Sequence, residues 1–410
     1  MASKQIIIHA EQLFSGKGDF KDRYIVVENG LIAEISTRKQ KSNYSGIVTP
    51  AFIDAHSHIG MFREGEPGSE QEGNEILSQI LPLSDPLNGI YFDDRAFSDA
   101  IDFGVLYSCV IPGSGNVFGG KAKVIRHNAS HRGEALVKDY GYKMALGYNP
   151  RSTQEWKGER PNTRMGVYGI LEKRFDAVLT KYRKGELNKE KKTKDLERKH
   201  AKGDLSAKDL KEDLKLLQRE SELEFSTEEQ ALLDVLIRRK VVKVHVHKED
   251  DVLYLIDLAK RYGLKVTAEH TGDVFHKEIF NLLADAGISI AYGPLGSFAY
   301  KVELLHSYYQ NTKLLMESRA TYGLMTDHPV IHVTALRDSV KFFLMFGMSV
   351  ADGIALITRK NAELLEIEEE LGSIEVGKKA SILLWDRDPF HLSAMPRMVM
   401  EEGKVLRQSK

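Results

Sequence analysis

The chain has 410 residues, a formal net charge of −1 and 42% hydrophobic residues. This length suits one barrel-sized domain with a smaller domain beside it better than one compact unit. The nearly balanced charge and ordinary composition argue against nucleic-acid and membrane partners, so we expect a small-molecule substrate.

Cysteine usage and apolar segments bear on the compartment. Cys109 is the one cysteine of the chain, which excludes an internal disulfide framework and suits a reducing cytoplasm. Its apolar neighbours, residues 107–111, favour a buried and inert thiol. No stretch approaches the run of about 18 apolar residues that a membrane-spanning helix needs, and the N-terminus lacks a long apolar segment. We therefore expect a cytoplasmic protein.

Short strands dominate both ends of the chain. Residues 5–9, 24–27 and 31–35 are apolar runs, and Asn29-Gly30 between the last two predicts a hairpin. Two C-terminal segments, 380–385 and 398–406, are also short runs rich in apolar residues. We expect residues 1–49 and 361–410 to form one small β-sandwich domain together.

The middle of the chain, residues 50–360, alternates short apolar strands with amphipathic helices. This pattern is typical of an α/β protein built from repeated β-α units. Eight units close as a (β/α)₈ barrel, whose active site lies at the C-terminal ends of the strands. The predicted strands lie near 51–56, 104–111, 122–127, 142–148, 241–247, 265–270, 288–292 and 322–327.

A charged segment, residues 181–229, follows the fourth predicted strand. Charges of alternating sign at helical spacing predict solvent-exposed helices. The alternative is a lid or a dimerisation arm, which would make the protein a homo-oligomer.

The first predicted strand ends in His56-Ser57-His58. Strand residues two apart point to the same side, so the two imidazoles can converge on one ion. Zinc and iron bind neutral imidazole readily, although an isolated His-x-His pair is more often two partly buried histidines. Further histidines at the ends of later strands favour the metal.

The fifth and sixth predicted strands supply those histidines. His245 and His247 form a second His-x-His pair on the fifth strand. His247 is closer to the mouth of the predicted barrel and is the better ligand, whereas His245 lies one layer deeper and is interpreted as a core histidine or a support for the ligands. His270 ends the sixth strand in the equivalent place.

The eighth predicted strand ends in Thr326-Asp327-His328. Asp327 can bind an ion through one carboxylate oxygen and hold a water through the other, take the water's proton and later deliver it to a leaving amine. The alternative is a turn in which Asp327 caps a helix. Its place after seven earlier strands favours the metal.

These segments resemble the amidohydrolase superfamily, and within it the amidohydrolases related to imidazolonepropionase. The similarity covers nearly the whole chain, through residues 49–58, 246–247, 269–270, 326–327 and 371–386. It implies a distorted (β/α)₈ TIM barrel with a β-sandwich formed by both termini. It also implies hydrolysis of carbon–nitrogen bonds, other than peptide bonds, by a metal-activated water or hydroxide.

The resemblance also bears on the number of ions. Two-metal members of the family carry a bridging Lys or Glu at the end of the fourth strand, where this chain has Tyr148. Lys143 is interpreted as the beginning of that strand and too deep to reach the site. We therefore predict one divalent ion, zinc with iron or manganese as alternatives, and disfavour a second. The predicted ligands are His56, His58, His247 and Asp327, and His270 is expected to hydrogen-bond the substrate carbonyl or the water.

Several polar residues are predicted to contact the substrate or to move protons. In single-metal members an acid three positions after the fifth-strand histidine carries protons, which is the place of Asp250; the alternative is a helix cap. Arg151 and Arg164 are candidates to pair with a substrate carboxylate, with plain solvent exposure as the alternative. Tyr148 and His328 are further candidates to line the pocket.

The sequence thus predicts a metal-dependent hydrolase that acts on amides or cyclic amides. Deamination and prolidase-like dipeptide cleavage are alternatives in the same superfamily. A distinct alternative is a barrel that has lost catalysis and serves as a binding or assembly module. The retained histidines and Asp327 argue against it, because a decayed site would be expected to lose ligands.

Overall fold

The computed structural model describes residues 5–63, 65–152 and 160–409. Within these ranges the chain forms two β-sheets. None of the described helices combines the length and the apolar character needed to cross a bilayer.

One sheet has seven strands drawn from both chain ends, as predicted. Its strands run in the spatial order β15-β14-β13-β4-β1-β2-β3. The Asn29-Gly30 turn joins β2 to β3, and both of its residues have the positive φ angles (52° and 82°) that a two-residue hairpin turn requires. The strands are β1 (Ile6–Phe14), β2 (Asp19–Glu28), β3 (Leu31–Ser36), β4 (Tyr44–Pro50), β13 (Ile382–Trp385), β14 (Met398–Glu401) and β15 (Lys404–Gln408).

The second sheet has eight strands in sequence order and is the predicted barrel. Backbone hydrogen bonds from Asp327 N to His56 O (3.1 Å) and from His58 N to His328 O (3.0 Å) link the first strand to the segment after the last one. The strands are β5 (Phe52–Ser57), β6 (Val105–Val110), β7 (Phe118–Arg126), β8 (Leu136–Ala145), β9 (Val241–Lys248), β10 (Val266–Asp273), β11 (Ser289–Tyr292) and β12 (Tyr322–Leu324).

The barrel departs from eight parallel units at β7, which pairs antiparallel with both β6 and β8. The connections explain this direction. Residues 111–117 and 127–135 are too short for the crossover of a dozen or more residues that parallel neighbours require. Strands β5 and β6 are buried at every residue because one face lines the barrel interior and the other packs under helices.

The helices cover the barrel and extend from it. Burial is concentrated on one face of α3, at Val167, Leu171, Phe175, Val178 and Leu179. The helices are α1 (Arg95–Asp102), α2 (Arg132–Ala135), α3 (Arg164–Ala201), α4 (Ala207–Leu223), α5 (Thr227–Leu236), α6 (Glu249–Tyr262), α7 (Lys277–Asp285), α8 (Asn311–Met316), α9 (Leu336–Ser339), α10 (Lys341–Leu344), α11 (Val350–Leu356) and α12 (Arg359–Leu364).

The charged segment is helical, as predicted. Helix α3 has 38 residues, or roughly 57 Å at about 1.5 Å per residue. All five of its buried residues lie in its first half, so the part beyond Thr180 leaves the barrel and pairs with α4. We call residues 181–223 the helical arm.

Candidate metal centre

Three predicted ligands meet at the closing edge of the barrel. His56 Nε2 and His58 Nε2 lie 3.2 and 3.1 Å from the same oxygen, Asp327 Oδ1. All three residues are buried. Ligand atoms about 2.0–2.1 Å from one tetrahedral ion are roughly 3.3–3.4 Å apart, so these spacings suit a shared ion.

The turn after β12 sets the position of Asp327. The buried carboxylate of Asp54 accepts hydrogen bonds from the backbone N–H of Thr326 (3.1 Å) and from its hydroxyl. Asp327 itself has a φ of 53°, a conformation that L-residues rarely adopt. Strand β5, which carries His56 and leads directly into His58, thus also supplies, through Asp54, the support for the facing ligand.

A second group contains His245, His247 and His270. Their available ligand atoms all lie within 4.8 Å of one another, and the three side chains are buried. His270 has a φ of 74°, at a point where the pairing of β10 with β9 becomes irregular. The structure therefore places His247 with His245 and His270, whereas His270 Nδ1 lies 3.8 Å from Asp327 Oδ2.

Hydrogen bonds fix which nitrogen of several histidines carries the proton. His58 Nδ1 donates to Ile111 O (2.7 Å) and His270 Nδ1 donates to Gly293 O (3.2 Å). His56 Nδ1 lies 2.8 Å from the carboxylate of Glu269. The Nε2 atoms of His56 and His270 are buried without a hydrogen-bond partner in the described structure. Acceptors that hold one nitrogen and leave the other free are typical of metal-binding histidines.

The charge states also suit a divalent cation. Burial lowers the pKa of His56, and those of His247 and His270 fall well below the usual range for the same reason. Burial alone would raise the pKa of Asp327, but the surrounding histidines, first His270, hold it well below its usual value. Neutral imidazoles beside an ionised carboxylate are the donor set that zinc and iron bind.

A buried ion pair between Glu269 and Lys243 supports the side chain of His56. Glu269 Oε2 lies 2.8 Å from His56 Nδ1 and 3.1 Å from Lys243 Nζ, and all three side chains are buried. Burial opposes the charge of this carboxylate, but Lys243 and His56 outweigh it and lower its pKa to about 2. Glu269 therefore stays ionised.

Lys143 lies where the sequence did not place it. Strand β8 ends at Ala145, so Lys143 is near its end. The prediction that Lys143 begins the strand is wrong, because β8 begins upstream in the partly exposed residues 136–139, which pair with β7. Its amine is buried, has no hydrogen-bond partner in the described structure, and feels the charges of Glu269 and Asp327. Burial lowers its pKa to about 8.

Two of the predicted proton and substrate contacts, Asp250 and Arg164, pair with each other. Asp250 is in the first turn of α6, its side chain is 71% exposed, and it pairs with Arg164 at 3.0 Å. Arg164 therefore has a carboxylate partner within the chain. The N-cap of α6 is Lys248, without a side-chain cap hydrogen bond, and Asp250 is one of three acids in the first turn.

The other predicted substrate contacts follow strands β8 and β12. Arg151 Nε donates to Asn162 O at 3.1 Å, and its guanidinium lies over the ring of Tyr148. Tyr148 lies beyond β8 and precedes a single 3₁₀ turn. His328 is buried beside Asp327, and its Nδ1 accepts from Val333 N at 3.3 Å.

Two carboxylates of the site were not assigned a role from the sequence. Lys243 lies two residues before His245 on the same face of β9, so strand alternation could have placed it near the centre. Glu269 directly precedes His270, and alternation would have put it on the opposite face from that histidine. Glu303 belongs to a 3₁₀ turn between β11 and β12, and its Oε1 lies 3.1 Å from His245 Nε2 and 3.7 Å from His247 Nε2. No periodicity in the sequence indicates that contact.

Comparisons with known proteins found amidohydrolases. The sequence model described as "Amidohydrolase family" matches residues 275–407. The amidohydrolase tasK of Hapsidospora irregularis is 24% identical over 92% of this chain, which spans 39% of that longer protein. The imidazolonepropionase of Picrophilus torridus is 22% identical, with 96% of this chain and 94% of that protein covered.

A solved structure is similar along the whole chain. The crystal structure of an amidohydrolase from Thermotoga maritima MSB8 aligns with a TM-score of 0.83 and 26% identity, and the alignment covers 98% of this chain and 100% of that one.

Proposed function

Because the chain belongs to the amidohydrolase family, we propose that it is a cytoplasmic, metal-dependent hydrolase of carbon–nitrogen bonds in amides and cyclic amides. One observation carries the proposal. Asp327 Oδ1 lies 3.1 Å from His58 Nε2 and 3.2 Å from His56 Nε2, an arrangement suited to a divalent cation.

His56, His58 and Asp327 hold the catalytic ion in this proposal, and zinc is favoured over iron and manganese. When bound, a divalent ion lowers the pKa of water from about 15.7 to about 7 and polarises a carbonyl, which supplies a nucleophile at neutral pH. The predicted fourth ligand is His247. The grouping of His247 with His245 and His270 makes this ligand the one to test by substitution.

The residues around the ion have different roles in the proposed reaction. Asp327 takes the proton of the attacking water through Oδ2, since Oδ1 is the oxygen that lies 3.1–3.2 Å from His58 and His56, and delivers it to the leaving nitrogen. His270, 3.8 Å from Oδ2, hydrogen-bonds the substrate carbonyl or the water. Arg151, Tyr148 and His328 are proposed as substrate contacts.

Asp250 and Arg164 keep their predicted roles only if their ion pair opens. Asp250 is proposed as a proton carrier and Arg164 as a partner of a substrate carboxylate. In the structure each satisfies the charge of the other at 3.0 Å. Substrate would have to replace one of these partners with a carboxylate or an amine of its own.

The position of Lys143 bears on whether the site binds one ion or two. The prediction of one ion rested on Tyr148 at the expected bridging position and on Lys143 beginning the strand, and the place of Lys143 near the end of β8 weakens the second reason. We propose that Lys143 contributes to binding a second ion at the histidines of β9 and β10. A free amine has one lone pair, so bridging two ions requires its carbamate, formed when the neutral amine bonds CO₂ and a proton is released.

Metal content per chain is the first test. Protein purified without chelator is assayed for zinc, iron and manganese, as wild type and as Asp327→Asn and His247→Ala. The matched control is Glu401→Gln, which alters a carboxylate that is also buried but lies in the other sheet. We expect metal in the wild type and the control and a loss in Asp327→Asn.

Activity is then measured on a panel of cyclic amides, N-acyl amino acids, dipeptides and aminated heterocycles. Hydrolysis of the first two classes supports the proposal, whereas turnover of dipeptides or aminated rings alone replaces it with a dipeptidase or a deaminase. An absence of metal even after reconstitution would favour the non-catalytic binding module.

A further inference from the structure

Glu303 lies on a surface segment but turns its side chain inward. It is the middle residue of the 3₁₀ turn Val302–Leu304. Val302 and Leu305 are 67% and 74% exposed, whereas Glu303 and Leu304 between them are 1% and 3% exposed. Burying a carboxylate is costly unless cations or hydrogen-bond donors surround it. The contacts of Glu303 should therefore reveal what the carboxylate does.

Both oxygens of Glu303 are held. Oε1 lies 2.8 Å from Lys301 Nζ and 3.1 Å from His245 Nε2, and Oε2 accepts the backbone N–H of Tyr148 at 3.0 Å. Gly147 leaves room for this approach, because a Cβ there would lie 3.0 Å from Oε2. The carboxylate thus ties the segment between β11 and β12 to the ends of β8 and β9.

His245 has the same hydrogen-bonding pattern as the metal-facing histidines. An ionised carboxylate can only accept, so its contact with Glu303 places the proton of His245 on Nε2 and leaves the lone pair on Nδ1. That Nδ1 is buried and has no hydrogen-bond partner in the described structure. Glu269 arranges His56 in the same way, with the two nitrogens exchanged.

His247 lacks this arrangement. Neither of its ring nitrogens has a hydrogen-bond partner in the described structure, and its Nε2 is 3.7 Å from Glu303 Oε1, beyond a hydrogen bond. Only His245, of the two β9 histidines, has its tautomer fixed by an acceptor.

We propose that Glu303 is the positioning residue of the second histidine group, and that it makes His245, rather than His247, the ligand that β9 presents to a metal ion. Glu303 does not touch the ion or the substrate in this role. It orients one imidazole and sets its tautomer, while Lys301 neutralises the carboxylate. The inference rests on the proposed metal-dependent function.

The test measures metal affinity rather than turnover. Metal-free protein is titrated with Zn²⁺ in competition with a chelator, as wild type, Glu303→Ala, His245→Ala and the double variant. We expect Glu303→Ala to weaken, by about 10–100-fold, the site that His245→Ala weakens, which is the usual effect of removing the partner of a metal-binding histidine. The control Glu401→Gln should bind like wild type.

Coupling between the two positions separates orientation from general damage. If Glu303 acts through His245, Glu303→Ala adds little to the loss in the His245→Ala background. An equal loss in both backgrounds, or wild-type affinity in Glu303→Ala, overturns the proposal. If Glu303→Ala does not fold, Glu303→Gln keeps the volume and removes the charge, and we expect a smaller loss in the same direction; wild-type affinity there overturns it too.

A second readout needs no metal. Two-bond ¹H–¹⁵N correlation spectra of the metal-free protein report the tautomer of each histidine. We expect the proton of His245 on Nε2 in wild type and a mixture in Glu303→Ala; a proton on Nδ1 in wild type would contradict the assignment. If the metal affinities show coupling between Glu303 and His245 but the protein hydrolyses no amide, the role of Glu303 is supported and only the proposed activity is refuted.

Discussion

Glu269→Gln should destabilise the protein strongly, because it breaks a buried ion pair from one side. The substitution leaves Lys243 buried without its carboxylate 3.1 Å away, and breaking such a pair costs about 3–5 kcal/mol. The pKa of Glu269, lowered from 4.5 to about 2, gives a similar figure of about 3 kcal/mol at about 1.4 kcal/mol per unit.

The pH dependence has a definite sign. A carboxyl whose pKa is depressed in the folded state stabilises the protein above its unfolded pKa, and this contribution fades as the pH falls through the folded value. The deficit of Glu269→Gln should therefore be constant from pH 7 to about 5. It should then shrink as the pH falls from 4.5 towards 2.

Urea unfolding of metal-free protein between pH 7 and pH 3 measures this, with Glu401→Gln as the control. Replacing both partners, in Glu269→Gln/Lys243→Met, should recover much of the loss, because no buried charge is left unpaired. A single variant within about 0.5 kcal/mol of wild type would refute the reasoning. So would a double variant that is no more stable than the single one.

Three further changes test the centre and the helical arm. Lys143→Met should lower the number of ions per chain in metal analysis, since it removes the proposed contributor to the second ion; an unchanged count would contradict that role. Asp250→Asn should keep its metal, because the carboxylate is exposed and paired with Arg164; turnover lost with metal retained would support proton transfer, and unchanged turnover would leave only the ion pair. Replacing residues 184–220 of the helical arm with a short turn should leave the metal content intact, since only the first half of α3 packs on the barrel. Light scattering before and after that deletion tests the dimerisation alternative, and a monomer in both cases would dismiss it.

Strand ends were the most predictable part of this protein. His56, His58, His270 and Asp327 could be placed at one mouth because parallel barrel strands end on the same side. The fourth strand was misplaced by several residues, since the first residues of β8 are partly exposed and pair antiparallel with β7. That shift moved Lys143 from the supposed beginning of a strand to near its end.

Contacts made by loops could not be predicted in the same way. Glu303 reaches His245 because a 3₁₀ turn buries Glu303 and Leu304 between the exposed Val302 and Leu305. Neither a period of two nor a period of 3.6 describes such a turn. The pairing of Asp250 with Arg164 likewise depends on how α3 approaches α6, which the charge pattern of either helix leaves open.

The sheet made from both chain ends cannot be completed until the C-terminal strands have been synthesised. Strand β4 ends at Pro50, and its partner β13 begins at Ile382. At about 5–20 residues per second, a ribosome needs roughly 20–60 s to make the segment between them. During that time one side of β4 has no native partner, and unpaired strand edges invite association with other chains. The nascent protein should therefore depend on chaperones until its last strands emerge, even after the barrel has formed.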